Sequence, residues 1–165
     1  GMPGFDGRKV DLRLRPNQIL AVALPNSPLG REQQKAVVDV CARELLTSHG
    51  LRSLARNQPG YVAYYRGNPL ERDAAYHQGT VWAWLIGPFV DAHYRVYRDA
   101  DKARSFLEPL GLHLGEGCIG NVSEIFDAEP PFTPRGCFAQ AWSVAEVLRA
   151  WVDLHEAAIG KRKST

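Results

Sequence analysis

Cysteine is scarce and irregularly placed in this 165-residue chain: Cys41, Cys118 and Cys137 are odd in number and form no C-x-x-C pair. That excludes a disulfide framework or a zinc ribbon and fits a reducing, cytoplasmic setting. A net charge of one sign is nearly absent too, with 20 Lys+Arg against 18 Asp+Glu and a formal charge of +2. So weak a field draws neither nucleic acid nor an anionic membrane, and a small or neutral partner is expected. Long apolar runs are missing. The longest, residues 81–90, is broken by Gly87 and Pro88 and is about half of the ~20 residues that span a bilayer. No charged-then-apolar leader opens the sequence, and Gly1 ahead of Met2 is expected to be a residue left by tag cleavage, with Met2 then the native start.

What is present is the composition of one globular domain, 45% hydrophobic, 10% aromatic and 23% charged. At this length folding hides roughly 70% of the unfolded chain's surface, enough for a core without a metal or disulfide staple. Residues 1–10 are expected to be a tag remnant and flexible N-terminus, 11–158 the folded unit, and 159–165 a basic disordered tail around Lys161-Arg162-Lys163.

The spacing predicts helices. One follows Pro16 and stops at Pro25. A second starts at Ser27-Pro28, carries Val37, Val38, Cys41, Ala42 and Leu45 at helical spacing, and ends at Gly50. Residues 51–79 read as a long ordered loop rich in aromatics, Gly and Pro. Trp82, Leu85, Ile86, Phe89, Val90, His93, Tyr94 and Tyr97 form the strongest stripe, one helix face with a bend expected at Pro88. A further helix begins after Asp99 or Asp101, bent at Pro109, and ends at Gly115, Gly117 and Gly120. Residues 121–136 are a loop, and a last helix is marked by Ala141, Val144, Ala145, Leu148, Val152 and His155. With no strand in view, the expected class is all-α, with longer loops gathered at one end, where sites are commonly built.

Three segments carry polar and aromatic groups beyond the needs of packing: residues 72–82, 123–127 and 135–142. Sugars present hydroxyls around apolar ring faces, so Asp, Gln, His and Tyr beside flat Trp or Tyr surfaces suit them. Around these residues the sequence resembles the glucosidase domain of glycogen debranching enzymes, the amylo-alpha-1,6-glucosidase family, in its C-terminal part. The resemblance rests on Arg15-Pro16-Asn17-Gln18; Leu46-Thr47 with Gly50-Leu51-Arg52-Ser53-Leu54; Arg72-Asp73-Ala74-Ala75-Tyr76-His77-Gln78-Gly79-Thr80-Val81-Trp82; Ser123-Glu124-Ile125-Phe126-Asp127; and Arg135-Gly136-Cys137 through Ala139-Gln140-Ala141-Trp142-Ser143-Val144-Ala145-Glu146. It implies an (α/α)6 toroid, glycogen as the α-glucan substrate, and hydrolysis of the α-1,6-linked glucosyl stub of a branch with inversion.

The resemblance makes Glu124 the general base, one of two carboxyl groups roughly 6.5 to 9.5 Å apart in an inverting hydrolase. The bland alternative for Glu124 is to cap a helix turn starting near Ser123. Asp127 shares its face if the loop makes a helical turn, with Arg135 or another cation intervening; both are expected to support the site from behind. Tyr76, His77 and Gln78 are expected to face substrate, with Trp82 and Trp142 as stacking surfaces and Gln140 beside them; Asn17, Gln18 and Asp73 order the loops. For His77 and Trp82 a place in the core is the competing reading. His49, His93, His113 and His155 lack ligand spacing in the sequence, so neither metal nor cofactor is expected.

An (α/α)6 ring of ~18-residue helices and loops of ~5 to 20 residues takes on the order of 300 residues, and this chain has 165. The family's proton-donating acid lies ahead of the Arg-Pro-Asn-Gln block, where this chain has no replacement. The chain is thus expected to be half a toroid that supplies the base but not the acid. Either the chain is a piece cut from a longer enzyme, to which the biology then belongs, or it starts at Met2 and the missing half comes from another chain, two copies associate as a homodimer through an exposed apolar face, or the gene is a truncated relic; the alternative function is a non-catalytic glucan-binding or assembly fragment.

Overall fold

The structure, a computed structural model, describes residues 11–163. The expected tag remnant and N-terminus at 1–10 lie outside the described residues, as do Ser164, Thr165 and the side chains of 161–163. A 3-10 turn at Pro16–Ile19 runs into α1 (Leu20–Ala23), followed by α2 (Arg31–Glu44) and a hairpin of β1 (Leu46–Thr47) and β2 (Gly50–Arg52). Then come α3 (Pro69–Ala75), β3 (Val81–Trp82), a 3-10 turn at Ala83–Leu85, α4 (Ile86–Tyr97), α5 (Ala100–Ser105) and α6 (Glu108–His113). Strands β4 (Ile125–Phe126) and β5 (Pro134–Arg135) precede the closing α7 (Ala141–Lys163). No helix among the described residues is long and apolar enough to cross a membrane.

The all-α expectation is corrected. Roughly half the chain is helical, but a five-stranded antiparallel sheet, ordered β1-β2-β3-β4-β5, is threaded between the helices. Its strands are two or three residues long, too short for an alternating pattern to show. Leu51 pairs with Trp82, Trp82 with Ile125, and Ile125 with Arg135, so one line of backbone bonds ties four distant parts of the chain together.

The apolar stripe divides at this sheet. Val81 and Trp82 are bonded on both sides, by β2 and β4, and are extended; the helix proper starts at Ile86. Pro88 therefore sits in the first helical turn, where a missing N–H costs nothing, and the expected interior bend has no cause. Along α4, Ile86, Phe89, Val90 and His93 are buried at i, i+3, i+4 and i+7, and the helix packs against α1, α2, α5 and α7. Full burial of a side chain such as Phe89 contributes about 1.5–3 kcal/mol. Gly87 lets α7 approach: a Cβ there would stand 2.3 Å from Glu146 Oε2.

Other boundaries shift for local reasons. Helix α2 starts at Arg31 with Gly30 as N-cap, its N–H held by Gln33 Oε1 at 3.0 Å, while Ser27 instead closes the loop by donating to the Ala21 carbonyl. It stops at Glu44, because residues 46–52 turn into the hairpin. Inside the expected loop, Asn68 and Glu71 cap each other's backbone N–H and nucleate α3. The helix after Asp99 is divided at Phe106–Leu107, with Pro109 in the first turn of α6. Helix α7 continues into the expected tail as far as Lys163.

Candidate active site

Glu124 stands at a bend one residue before β4. Its N–H donates to the Cys137 carbonyl at 2.9 Å and its carbonyl accepts from Ala83 N–H at 3.3 Å. No helix turn begins at Ser123, so Glu124 caps nothing. The half-buried carboxylate is instead held by two donors. The Tyr76 hydroxyl donates to Oε1, and the backbone N–H of Cys137 donates to Oε2 at 3.0 Å. Both complement an ionised carboxylate, whose oxygens keep lone pairs for a third donor. Burial first, and then the carboxylate beside it, push the Tyr76 phenol well above its ordinary value, so its proton stays in place.

Gly136 explains the close fit beneath this carboxylate. Its φ of +65° lies in the left-handed region, and a Cβ there would come within 2.3 Å of Glu124 Oε2. Only glycine provides both the turn and the space. Asp127 is placed otherwise than a helical turn would put it, because strand β4 runs between it and Glu124. It is buried, accepts from Arg135 Nη2 at 2.9 Å and Nε at 3.1 Å, and accepts from Tyr65 N–H at 2.8 Å. Arg135 thus does balance an acid, but Asp127 rather than Glu124. The ion pair pins β5, which delivers Gly136 and Cys137, while the bond to Tyr65 sets a ring lying 5.6 Å from that of Tyr76.

A cleft of about 430 Å3 is lined by Arg15, Asn17, His77, Trp82, Trp84 and Trp142 among others; Glu124, Tyr76 and Gln78 are not in its lining. His77 stacks on Trp82 with rings 3° from parallel and 5.0 Å apart; Trp84 stacks on Trp142 at 4.0 Å and 14°. Tyr76 joins the two parts, because its ring packs 4.7 Å from Trp82 while its hydroxyl reaches Glu124. Trp142 is half exposed, leaving indole surface open to solvent.

The structure brings Glu124 and Tyr76 together, and gathers His77, Trp82, Trp142 and Asn17 in the cleft. Gln78 is tied to the scaffold: Arg15 Nη2 donates to its Oε1 at 3.1 Å, while Arg15 Nη1 donates to the carbonyls of Ser53 and His77. Gln18 serves the same arginine, its Nε2 donating to the Arg15 carbonyl at 3.0 Å. Asp73 is exposed on α3, with its carbonyl accepting from Tyr76 N–H, and Gln140 joins the segments through its N–H to the Val122 carbonyl. None of Gln18, Asp73 and Gln140 lines the cleft. Sequence reasoning passed over Arg15, Tyr65, Trp84 and the Cys137 amide as site groups. Trp84 had a signal, its spacing of two from Trp82, concealed within the helical stripe.

A carboxylate braced by two donors and linked through Tyr76 to a cleft of flat indole faces and an imidazole suits a polyhydroxylated ring better than a charged or purely apolar ligand. The profile of the family described as amylo-alpha-1,6-glucosidase matches residues 5–149, and the chain belongs to that family. It is similar to the glycogen debranching enzyme of Saccharomyces cerevisiae (strain ATCC 204508 / S288c), 25% identical over 170 aligned residues that cover 89% of this chain and 11% of that protein. The chain thus spans about a ninth of the length of this curated relative.

Proposed function

We propose that this chain is the base-bearing portion of an inverting α-1,6-glucosidase acting on glucosyl branch stubs of glycogen or limit dextrin. The observation that carries the proposal is the bracing of Glu124 by Tyr76 and Cys137 and its link through Tyr76 to the aromatic cleft. In this reading Glu124 takes a proton from a water attacking the anomeric carbon, and a carboxylic acid from outside the described residues protonates the leaving oxygen. Tyr76 and the Cys137 amide hold the carboxylate aimed while the indoles carry the apolar sugar faces. The described helices are then part of an (α/α)6 toroid. The strip of Leu114, Val144, Val147, Leu148 and Trp151 along α6 and α7 is where its remaining half packs, or where two copies meet when the chain is alone.

The proposal is tested by glucose release from a branched limit dextrin. The isolated chain should release none, addition of the missing half should restore release, and Glu124→Gln should abolish the restored activity. Undiminished activity in that variant removes Glu124 from catalysis.

A second reading, a non-catalytic glucan-binding module, is favoured by one observation: the stacked pair of Trp84 and Trp142 lines the cleft, and Glu124 does not. It calls for saturable maltooligosaccharide binding by the chain alone in calorimetry, weakened about tenfold in Trp142→Ala. Absence of saturation rejects it.

A further inference from the structure

Sequence spacing separates His49, His113 and Glu116, but the fold does not. His49 lies in the turn between β1 and β2, His113 ends α6, and Glu116 follows one turn later. One ligand atom from each lies within 4.8 Å of the other two. The rings are set in an aromatic box: His49 packs 4.5 Å from Phe126 and meets His113 edge-on at 5.8 Å, while His113 meets Phe126 edge-on at 4.9 Å. His113 is fully buried and Glu116 faces solvent, so a small ion has an entry side and a rigid back wall.

We propose that His49, His113 and Glu116 form a binding site for a divalent transition metal of the zinc class. Two imidazoles and one carboxylate are a ligand set such ions favour, with a water completing the coordination. His113 Nδ1 and Glu116 Oε2 are 3.2 Å apart, close to the ~3.3 Å between two ligands each ~2.0–2.1 Å from a tetrahedral zinc. The exposed Glu116 carboxylate can rotate to complete the set. Ser48 Oγ lies 2.8 Å from His49 Nδ1 and fixes that ring.

Metal binding has a definite proton consequence at His113. Without metal, Nε2 accepts the Ser123 backbone N–H at 3.2 Å, which places the ring proton on Nδ1, facing Glu116. A metal on Nδ1 displaces that proton, and the neutral ring takes one up at Nε2, where Ser123 Oγ at 3.2 Å accepts it. The backbone N–H then loses its acceptor, which weakens binding roughly 5- to 150-fold. None of this depends on the role proposed for Glu124, though Ser123 is its immediate neighbour.

The test is titration of the full chain with Zn2+ and Co2+. One equivalent should bind saturably, with a cobalt spectrum of nitrogen and oxygen ligands. His49→Ala and Glu116→Gln should each weaken binding at least 30-fold while circular dichroism shows the fold intact, and His155→Ala should leave it unchanged. Imidazole nitrogen NMR shifts should show His113 passing from the Nδ1–H to the Nε2–H tautomer. Affinity unchanged in both variants, a thiolate-to-cobalt band implicating Cys118 or Cys137, or no saturation below millimolar zinc would each overturn the proposal.

Discussion

Tyr76 and Glu124 are 48 residues apart in sequence and joined by a hydrogen bond from phenol to carboxylate. The bond survives only while the phenol keeps its proton, and this gives it a pH signature. The Tyr76 value lies above the ordinary 10.0, through burial first and Glu124 second. An unfolded chain therefore releases this proton at lower pH than the folded one. Stability contributed by the protonated phenol is complete below about pH 10 and declines as pH climbs toward the folded value. Urea midpoints of the parent and Tyr76→Phe should accordingly converge as pH is raised from about 8 to about 11. A gap that stays constant over that range would show that Tyr76 ionises as it does in the unfolded chain.

Gly136 and Gly60 make a controlled pair. Both have positive φ, +65° and +85°, but a Cβ on Gly60 meets nothing within 4 Å, whereas one on Gly136 runs into Glu124. Gly60→Ala should cost about 1–2 kcal/mol through backbone strain. Gly136→Ala should cost at least ~1 kcal/mol more, since the carboxylate must leave its two donors. Thermal denaturation measures both, and equal losses would mean that Glu124 moves aside freely.

Asp127→Asn keeps an acceptor for Tyr65 N–H but removes the charge opposite Arg135. Because the arginine side chain is 36% exposed, water partly compensates, and the loss should be about 1–2 kcal/mol, below that of a fully buried pair. A double-mutant cycle with Arg135→Gln in urea should give a coupling of about 0.5–2 kcal/mol. Additive losses would remove this ion pair from the account of how β5 is held.

Self-association of the isolated chain should depend on the α7 strip. Leu148 is 61% exposed, so Leu148→Glu should leave the fold intact and move the sedimentation velocity profile from dimer toward monomer. A parent chain that is monomeric at about 100 μM would dispose of the dimer.

Helices were legible where periodicity had room to act. The buried stripe of α4, the apolar faces of α2 and α7, and the short helix begun by Pro16 follow from spacing and proline alone. The sheet was hidden because two-residue strands have no period; Trp82 fitted a helical stripe until pairing with β2 and β4 took it away. For the candidate site, Glu124, Tyr76, His77, Trp82 and Trp142 were visible through motif resemblance and chemistry, and Trp84 was not. The Cys137 amide was not, since a backbone donor leaves no mark on residue identity beyond the glycine before it. The convergence of His49 with His113 was equally invisible, being made by a hairpin turn and a helix end distant in the chain.

The serial order of the five strands also bears on biosynthesis. Their rungs reach from residue 46 to residue 135 in the order in which a ribosome emits them, a high-contact-order ribbon of the sort that closes late. A nascent chain halted short of Cys137 already contains Glu124 and Tyr76 but still lacks the amide that restrains the second carboxylate oxygen. The restraint on that oxygen therefore arrives just after the final rung, and the Trp142 face of the cleft follows later still, with α7.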